Sequence, residues 1–134
     1  MAENQSPGKI LLVEDEEMAQ FAAKDMLNQL GCDVDVAATG HEALEQLKRG
    51  FYDLVLMDLG IFDMDGFNIT KKIRSMGDKL LKQIPIVIVT AYDHASIKKR
   101  ASTLGLDDVL TKPLTLDGCK AVLNKYIRQK KTTE

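Results

Sequence analysis

Short apolar runs alternate with longer amphipathic segments along the whole chain, and this alternation restricts the fold more than any other feature. Each run is only a few residues long, which is typical of a buried strand rather than a helix. The five runs are Ile10–Val13, Val34–Ala37, Leu54–Met57, Pro85–Val89 and Val109–Thr111. Strands that alternate with helices build a parallel sheet covered on both faces. The sequence therefore predicts an α/β fold with a doubly wound, five-stranded parallel sheet.

The segments between the runs carry apolar residues at helical spacing, and five helices are predicted from them. They cover 17–30, 39–47, a segment from 66 that continues or frays through 81, 97–104, and 115 or 116 to about 128. Thr39 is the predicted N-cap of the second helix, and Gly31 and Gly105 end the first and fourth. The apolar residues of the first helix, Met18 and Ala22 among them, are expected to lie mostly in the core.

Length and composition predict one soluble domain. The chain has 134 residues, of which 45% are hydrophobic and 28% charged. We expect one domain at 9–128 between flexible tails at 1–8 and 129–134. The net charge of −2 offers no bulk attraction to nucleic acid or to an anionic membrane. Cys32 and Cys119 have no metal-type spacing and are predicted to be buried free thiols. The sequence shows neither a signal peptide nor an apolar run long enough to span a membrane, so the expected location is cytoplasmic.

Polar side chains follow four of the predicted strands at the point where each strand ends. Glu14 and Asp15 follow the first strand, Asp58 the third, Thr90 the fourth and Lys112 the fifth. The carboxyl ends of parallel strands share one edge of the sheet, which is where ligands bind in open α/β folds. These five side chains are therefore predicted to converge.

Three clustered carboxylates cannot all stay ionised cheaply without a cation. An all-oxygen set suits a hard cation, Mg²⁺ above all, with Mn²⁺ as the alternative. The ammonium of Lys112 would repel a metal ion, so it does not fit a site that binds only a cation. Together with a metal and the Thr90 hydroxyl, however, it suits the anionic oxygens of a phosphoryl group. An aspartate held there, such as Asp58, can act as nucleophile and form an aspartyl-phosphate.

Five short motifs at these strand ends resemble the receiver domain of two-component response regulators. They are VEDE at 13–16, MD at 57–58, DMDGF at 63–67, VTA at 89–91 and TKP at 111–113. The resemblance covers Lys9 to Tyr126, with all five motifs in order and at the right spacing. It implies a flavodoxin-like (β/α)5 fold of strand order 2-1-3-4-5 and a cis peptide bond between Lys112 and Pro113.

The resemblance also implies a role for each site residue. Asp58 would be the phosphoacceptor, attacking a phosphohistidine on a histidine kinase or a histidine phosphotransfer protein. Asp15 and Asp58 would bind Mg²⁺ directly, Glu14 would bind it through water, and the backbone carbonyl of Gly60 would be a further ligand. Thr90 and Lys112 would contact the phosphoryl group. The exposed edge of the first helix would meet the donor, and phosphorylation would allow a homodimer.

The sequence departs from the receiver pattern at two positions, and two further residues bear on hydrolysis of the aspartyl-phosphate. Phe62 stands where receivers usually carry proline, so the loop there is freer or offers an aromatic side chain to a partner. Val109 replaces the aromatic residue whose rotamer reports phosphorylation, so we expect that switch to be absent. Gly60 and Tyr92 would line the approach of a hydrolytic water, which Gly60 leaves open and Tyr92 partly covers.

Several polar residues have simpler explanations. Glu14 and Asp15 alone would suit a charged turn before a helix. Asp65 is predicted to cap the third helix and Asp63 to be solvated, so neither is expected to bind metal. His41 and His94 are predicted to face solvent without a site role. Lys98 to Arg100 suggest a solvated helix face or a partner surface.

Three kinds of function remain open from the sequence. The first is a phosphoacceptor signalling module, which is not a turnover enzyme by itself. Haloacid-dehalogenase-type phosphatases are a distant second, because they place an acidic residue where this chain has Gly60. An interaction module that has lost phosphorylation is the third. KPLT at 112–115 and VLMDL at 55–59 resemble receivers of hybrid histidine kinases, so the chain is either a free-standing regulator or a phosphorelay receiver from such a kinase.

Overall fold

The structure is a computed structural model that describes residues 8–61, 64–91 and 94–128. Its strands are β1 (Lys9–Val13), β2 (Asp33–Ala37), β3 (Leu54–Asp58), β4 (Ile86–Thr90) and β5 (Asp108–Thr111). All pairings are parallel and the order is β2-β1-β3-β4-β5. The predicted doubly wound sheet and its strand order are confirmed, including the edge position of β2. The strands begin at one rim, here called the amino edge, and end at the carboxyl edge.

In the described residues, six α-helices connect and cover the strands. They are α1 (Glu17–Gln29), α2 (Gly40–Arg49), α3 (Gly66–Arg74), α4 (Lys79–Gln83), α5 (His94–Leu104) and α6 (Leu116–Leu123), which a π-helical turn extends through Asn124–Arg128. The segment from 66, which is predicted to continue or fray through 81, contains two helices. Gly77, with a φ of 84°, separates α3 from α4, because only glycine enters that conformation without strain. Within the described residues, no helix is long and apolar enough to cross a bilayer.

Helix boundaries largely follow their local capping chemistry. The Thr39 hydroxyl accepts the Glu42 N–H at 3.0 Å, and the Asp65 carboxylate accepts the Asn68 N–H at 2.9 Å, which confirms both predicted caps. Gly31 and Gly105 follow α1 and α5 at φ values of 89° and 87°. Both glycines therefore end their helices as predicted.

Two apolar cores lie on opposite faces of the sheet. Residues of β3 alternate between them: Val55 and Met57 pack with α2, α3, α4 and α5, while Leu54 and Leu56 pack with α1 and α6. This alternation follows from the two-residue period of a strand. Cys32 and Cys119 are buried free thiols in the second core, as predicted. Gly8, placed in the predicted tail, is buried and its carbonyl accepts the Asp33 N–H at 2.9 Å.

The side chains of α1 and α6 depart from the predicted apolar faces at three positions. Only Ala23 and Leu27 of α1 are buried, whereas Met18 is 76% exposed and Ala22 is also exposed. Leu116, at the start of α6, is 42% exposed. Met26 and Leu30 are partly buried and pack against the second core, so the prediction that the apolar residues of the first helix lie mostly in the core fails at Met18 and Ala22. Helical spacing identifies an apolar stripe, but the width of the buried contact depends on how closely the helix approaches the sheet.

Candidate functional site

Strand register brings the polar strand ends to one level of the carboxyl edge. The paired residues there are Val13 with Met57, Asp58 with Val89, and Thr90 with Thr111. Glu14 follows β1 beside the end of β3, and Lys112 follows β5 beside the end of β4. The Lys112 N–H donates to the Thr90 carbonyl at 2.8 Å, so the segment after β5 stays attached to β4. Residues up to 98 positions apart in sequence thus meet at one edge.

Glu14, Asp15 and Asp58 form an acidic cluster. One carboxylate oxygen from each lies within 4.8 Å of the other two, which is close enough for all three to contact one metal ion. Glu14 is buried, the Asp58 side chain is only 12% exposed, and Asp15 is open to solvent. The cluster is therefore reachable from outside although two of its members are largely shielded.

The Glu14 carboxylate is oriented by the start of α1. The Glu16 N–H donates to Glu14 Oε2 at 3.0 Å, and Gln20 Nε2 donates to the Glu14 carbonyl at 2.7 Å. Burial raises the pKa of Glu14 above its ordinary value; the bond from Glu16 opposes this, and the negative charge of Asp58 adds to it. A bound cation would remove this unfavourable charge interaction.

Lys112 pairs directly with Asp58. Its Nζ lies 3.0 Å from Asp58 Oδ1, and the peptide bond that follows it, to Pro113, is cis, as the resemblance implied. Burial lowers the pKa of Lys112, but the hydrogen bond and the charge of Asp58 outweigh it, so the pKa is raised overall. The ammonium is therefore charged at neutral pH and lies against the carboxylate of Asp58.

Thr90 and the segment after Asp58 complete the surroundings of the cluster. Thr90 ends β4 and is 2% exposed. The Leu59 N–H donates to the Val89 carbonyl at 3.1 Å, and the Gly66 N–H donates to the Leu59 carbonyl at 2.7 Å. A Cβ at Gly66 would lie 3.2 Å from the Asp58 carbonyl, so glycine is needed for α3 to begin this close to Asp58. Gly60 is exposed, and apart from its two chain neighbours no described residue has an atom within 4 Å of where its Cβ would lie.

The remaining predicted positions lie away from the cluster or outside the described residues. Val109 is 3% exposed in the core beneath α5. His41 is exposed on α2, and Lys98, Lys99 and Arg100 are exposed on α5. The Arg100 guanidinium lies over the Phe67 ring at 4.2 Å from its centroid. Six of the predicted positions lie outside the described residues, either whole, as for Phe62, Asp63 and Tyr92, or in their side chains, as for His94, Ala101 and Leu104.

An apolar groove adjoins the cluster, and sequence analysis did not find it. It has a volume of about 470 Å³, and its lining includes Ala19, Ala22 and Met26 of α1 and Pro113 and Leu114 after β5, continuous with Asp58 and Lys112. We call it the site groove. Met18 and Phe21, each 76% exposed, lie on the same helix. Phe21 lies outside the apolar stripe of α1. An aromatic residue at such a position is the feature of the sequence that could have indicated an exposed apolar surface here.

The donor set fits a hard divalent cation. All three side chains offer carboxylate oxygens, and the cluster includes no histidine or thiol. Glu14 is a buried carboxylate, whose charge a cation would neutralise. The cluster can bind a metal ion. Beside it, Lys112 supplies a positive charge and Thr90 ends the adjacent strand, an arrangement suited to a group with several anionic oxygens.

A family model described as the response regulator receiver domain matches residues 10–124. Among curated proteins, the aerobic respiration control sensor protein ArcB of Escherichia coli (strain K12) is 37% identical over 117 residues, which cover 87% of this chain. The sensor histidine kinase RcsC of Salmonella typhi is 36% identical over 92% of this chain. The matched segments are only 15% and 13% of those proteins' lengths.

Solved structures agree with these matches. The chemotaxis response regulator CheY4 of Vibrio cholerae has a TM-score of 0.83 at 25% identity, covering 90% of this chain and 99% of that one. The receiver domain of the sensor histidine kinase PA1611 from Pseudomonas aeruginosa PAO1, with a magnesium ion coordinated in its active site cleft, has a TM-score of 0.81 at 30% identity. That match covers 91% of this chain and 98% of the other.

Proposed function

The chain belongs to the response regulator receiver domain family, whose function is to accept a phosphoryl group, and we propose on this premise that Asp58 is the phosphoacceptor. The observation that carries the proposal is the set of contacts made by the Asp58 carboxylate. This carboxylate is in contact with Lys112 at 3.0 Å and belongs to a three-carboxylate cluster at the carboxyl edge. It therefore has both a cationic partner for a phosphoryl group and acidic partners for a metal.

Each site residue has a defined part in the transfer. An oxygen of Asp58 attacks the phosphorus of a phosphohistidine, the P–N bond breaks, and the imidazole leaves with the bonding pair. Lys112 moves from the carboxylate to the transferred phosphoryl oxygens, and the Thr90 hydroxyl donates to one of them.

Glu14, Asp15, Asp58 and the Gly60 carbonyl would hold Mg²⁺, which neutralises the negative charge that gathers when a phosphate approaches three carboxylates. The magnesium ion in the PA1611 receiver supports this choice of metal. Mn²⁺ prefers the same oxygen donors and remains the alternative. Because the cluster is reachable through exposed Asp15, a cation can enter without unfolding of β1 or α1.

The proposed phosphodonor is a histidine kinase or a histidine phosphotransfer protein. A protein must bring its phosphohistidine to Asp58 along an accessible surface, and the site groove leads to Asp58 past Lys112. Phe21 and Met18 provide exposed apolar contacts on α1 beside it. The groove and these two side chains together form the proposed donor surface, and a homodimer on phosphorylation stays a separate prediction.

We further propose that the chain acts as a phosphorelay receiver, as in hybrid sensor kinases, in a cytoplasmic location. The similarity to segments of ArcB and RcsC supports this context. Val109 supports it as well, because a buried valine lacks the large side chain that a rotamer switch would move. A relay needs phosphate to pass through Asp58, whereas a free-standing regulator must also change an output surface.

Incubation with acetyl phosphate and Mg²⁺, followed by intact mass spectrometry, tests the proposal. We expect the mass to increase by one phosphoryl group in the wild type and in Asp117→Asn, a control at an exposed aspartate of α6. Asp58→Asn should show no increase. Continuous phosphate release at enzyme-like rates would favour a phosphatase, and an unmodified wild type would favour an interaction module; either result would refute the phosphoacceptor assignment.

A further inference from the structure

Two large apolar side chains are exposed together at the amino edge, the opposite end of the sheet from Asp58. Phe51, just before β3, is 62% exposed, and Leu80 of α4 is 60% exposed. Both line one shallow cavity of about 120 Å³. Single exposed apolar residues need no explanation, but two that share a cavity form a patch.

Exposed cations lie close to these two residues in the sequence. Lys48 and Arg49 end α2 immediately before the loop that carries Phe51, and Lys79 and Lys82 flank Leu80 in α4. Lys48 is paired with Glu45 at 3.5 Å. Lys79 and Lys82 have no ion pair with any carboxylate in the described part of the chain, so their charge is available to a partner.

Helix stability alone does not account for this charge. Cations in the last turn of a helix stabilise its dipole, which explains Lys48 and Arg49. Lys79, however, is the first residue of α4, where a positive charge is unfavourable. Two acids, Asp53 and Asp78, line the same cavity and accept the Lys9 and Leu80 N–H groups, each at 2.8 Å, so Arg49, Lys79 and Lys82 exceed them in formal charge by one.

We propose that Phe51, Leu80, Arg49, Lys79 and Lys82, here called the amino-edge patch, bind peripherally to the surface of an anionic lipid bilayer. Exposed Phe and Leu side chains enter the boundary between headgroups and acyl chains, while neighbouring cations attract anionic headgroups. The net charge of −2 does not oppose this, because only charges within about 8 Å of the surface act strongly at physiological salt.

The shape of the patch favours a lipid surface over a protein. A partner helix requires a groove, whereas the cavity that Phe51 and Leu80 line is small and both side chains are mostly exposed. A bilayer deforms around protruding side chains without needing a matched surface. Residues Leu54 to Asp58 of β3 separate the two ends of the sheet by about 13 Å. Asp58 would therefore face away from the bilayer and stay accessible to a donor.

Vesicle co-sedimentation of the full chain tests the proposal. We expect binding to vesicles of equal parts phosphatidylserine and phosphatidylcholine, weakening with added NaCl, and little binding to phosphatidylcholine alone. The double variant Phe51→Ser/Leu80→Ser should bind about tenfold more weakly, because both apolar anchors are lost. Lys79→Glu/Lys82→Glu should lose about tenfold or more, because two attractive charges become repulsive.

Matched variants elsewhere decide whether the patch is responsible. Phe21→Ser removes an equally exposed aromatic residue from α1, and Lys98→Glu/Lys99→Glu reverses two exposed charges on α5. Both should bind vesicles like the wild type, and circular dichroism should show every variant folded. The proposal is overturned if the wild type ignores anionic vesicles, or if control and patch variants lose binding equally. A patch-dependent preference for polyglutamate or duplex DNA over vesicles would overturn it too.

Discussion

Glu14 shows how a single residue can be arranged for binding at the expense of stability. It is 6% exposed, and burial raises its pKa. A carboxyl group whose pKa is higher in the folded than in the unfolded state destabilises the fold when ionised. That destabilisation is fully present above the folded pKa and disappears as the pH falls below the unfolded pKa. At neutral pH the ionised Glu14 is therefore a cost that a bound cation can offset.

The first prediction follows from this cost. Without metal, Glu14→Gln should melt at a higher temperature than the wild type, by the order of a few degrees, because a buried charge is removed. Millimolar Mg²⁺ should raise the melting temperature of the wild type and raise that of the variant less. Differential scanning calorimetry at neutral pH measures both effects.

Glu45→Gln, on the exposed face of α2, is the control and should leave the response to Mg²⁺ unchanged. The ligand assignment fails if Mg²⁺ does not change the wild-type melting curve. It also fails for Glu14 if the variant responds to Mg²⁺ as strongly as the wild type does.

Arg74 joins elements that the sequence keeps separate. Its guanidinium donates to the carbonyls of Gly105, Leu81 and Ile84 and to the Asp107 carboxylate, at 2.7–3.1 Å. Asp107 also accepts the Ile86 N–H at 2.8 Å. One side chain of α3 therefore satisfies backbone groups at the ends of α4 and α5, which helices cannot satisfy within themselves.

Arg74→Lys should consequently lower the free energy of unfolding by about 2–3 kcal/mol, because a single ammonium cannot reach all of these acceptors. Urea denaturation measures the change. Lys72→Met, at an exposed position of the same helix, should change stability by no more than about 0.5 kcal/mol. Equal stability of Arg74→Lys and the wild type would mean that water replaces the guanidinium at little cost.

The helix α1 is predicted to carry the donor contact through its exposed face. Phe21→Ser should raise the Kd for a phosphorylated histidine phosphotransfer protein by about tenfold, because an exposed aromatic anchor is lost. Phosphotransfer at limiting donor concentration measures the effect. Phe51→Ser, at the amino edge, is the matched control and should transfer like the wild type. The reverse pattern would move the donor surface away from α1.

The whole molecule is a sheet with an independent core on each face. Ile10 packs with α1 and α6, and Ile69 packs on the other side of the sheet; both are 0% exposed. Ile10→Val and Ile69→Val should each cost about 0.5–1.5 kcal/mol in unfolding free energy. Their effects should add within about 0.5 kcal/mol in the double variant, measured by urea denaturation. A larger deviation would show that the sheet transmits strain between the cores.

Much of this arrangement could be predicted from local sequence. Thr39 and Asp65 cap helices because a short polar side chain before a helix binds its free N–H groups wherever it occurs. The alternating runs determined the sheet, and the strand ends indicated which residues would meet. The helix predicted from Gly66 ends at Arg74, and the stretch predicted to continue or fray through 81 contains a separate helix, because the positive φ of Gly77 interrupts the helical conformation.

The sequence alone determined the strands, their order along the chain and the chemistry available at each strand end, because these depend on periodicity and on neighbouring residues. Only the tertiary structure decided the distances and the exposures. The 3.0 Å contact of Lys112 with Asp58, the exposure of Phe21 and the site groove depend on how segments far apart in the chain pack. Packing is a property of the whole sheet, and no local pattern encodes it.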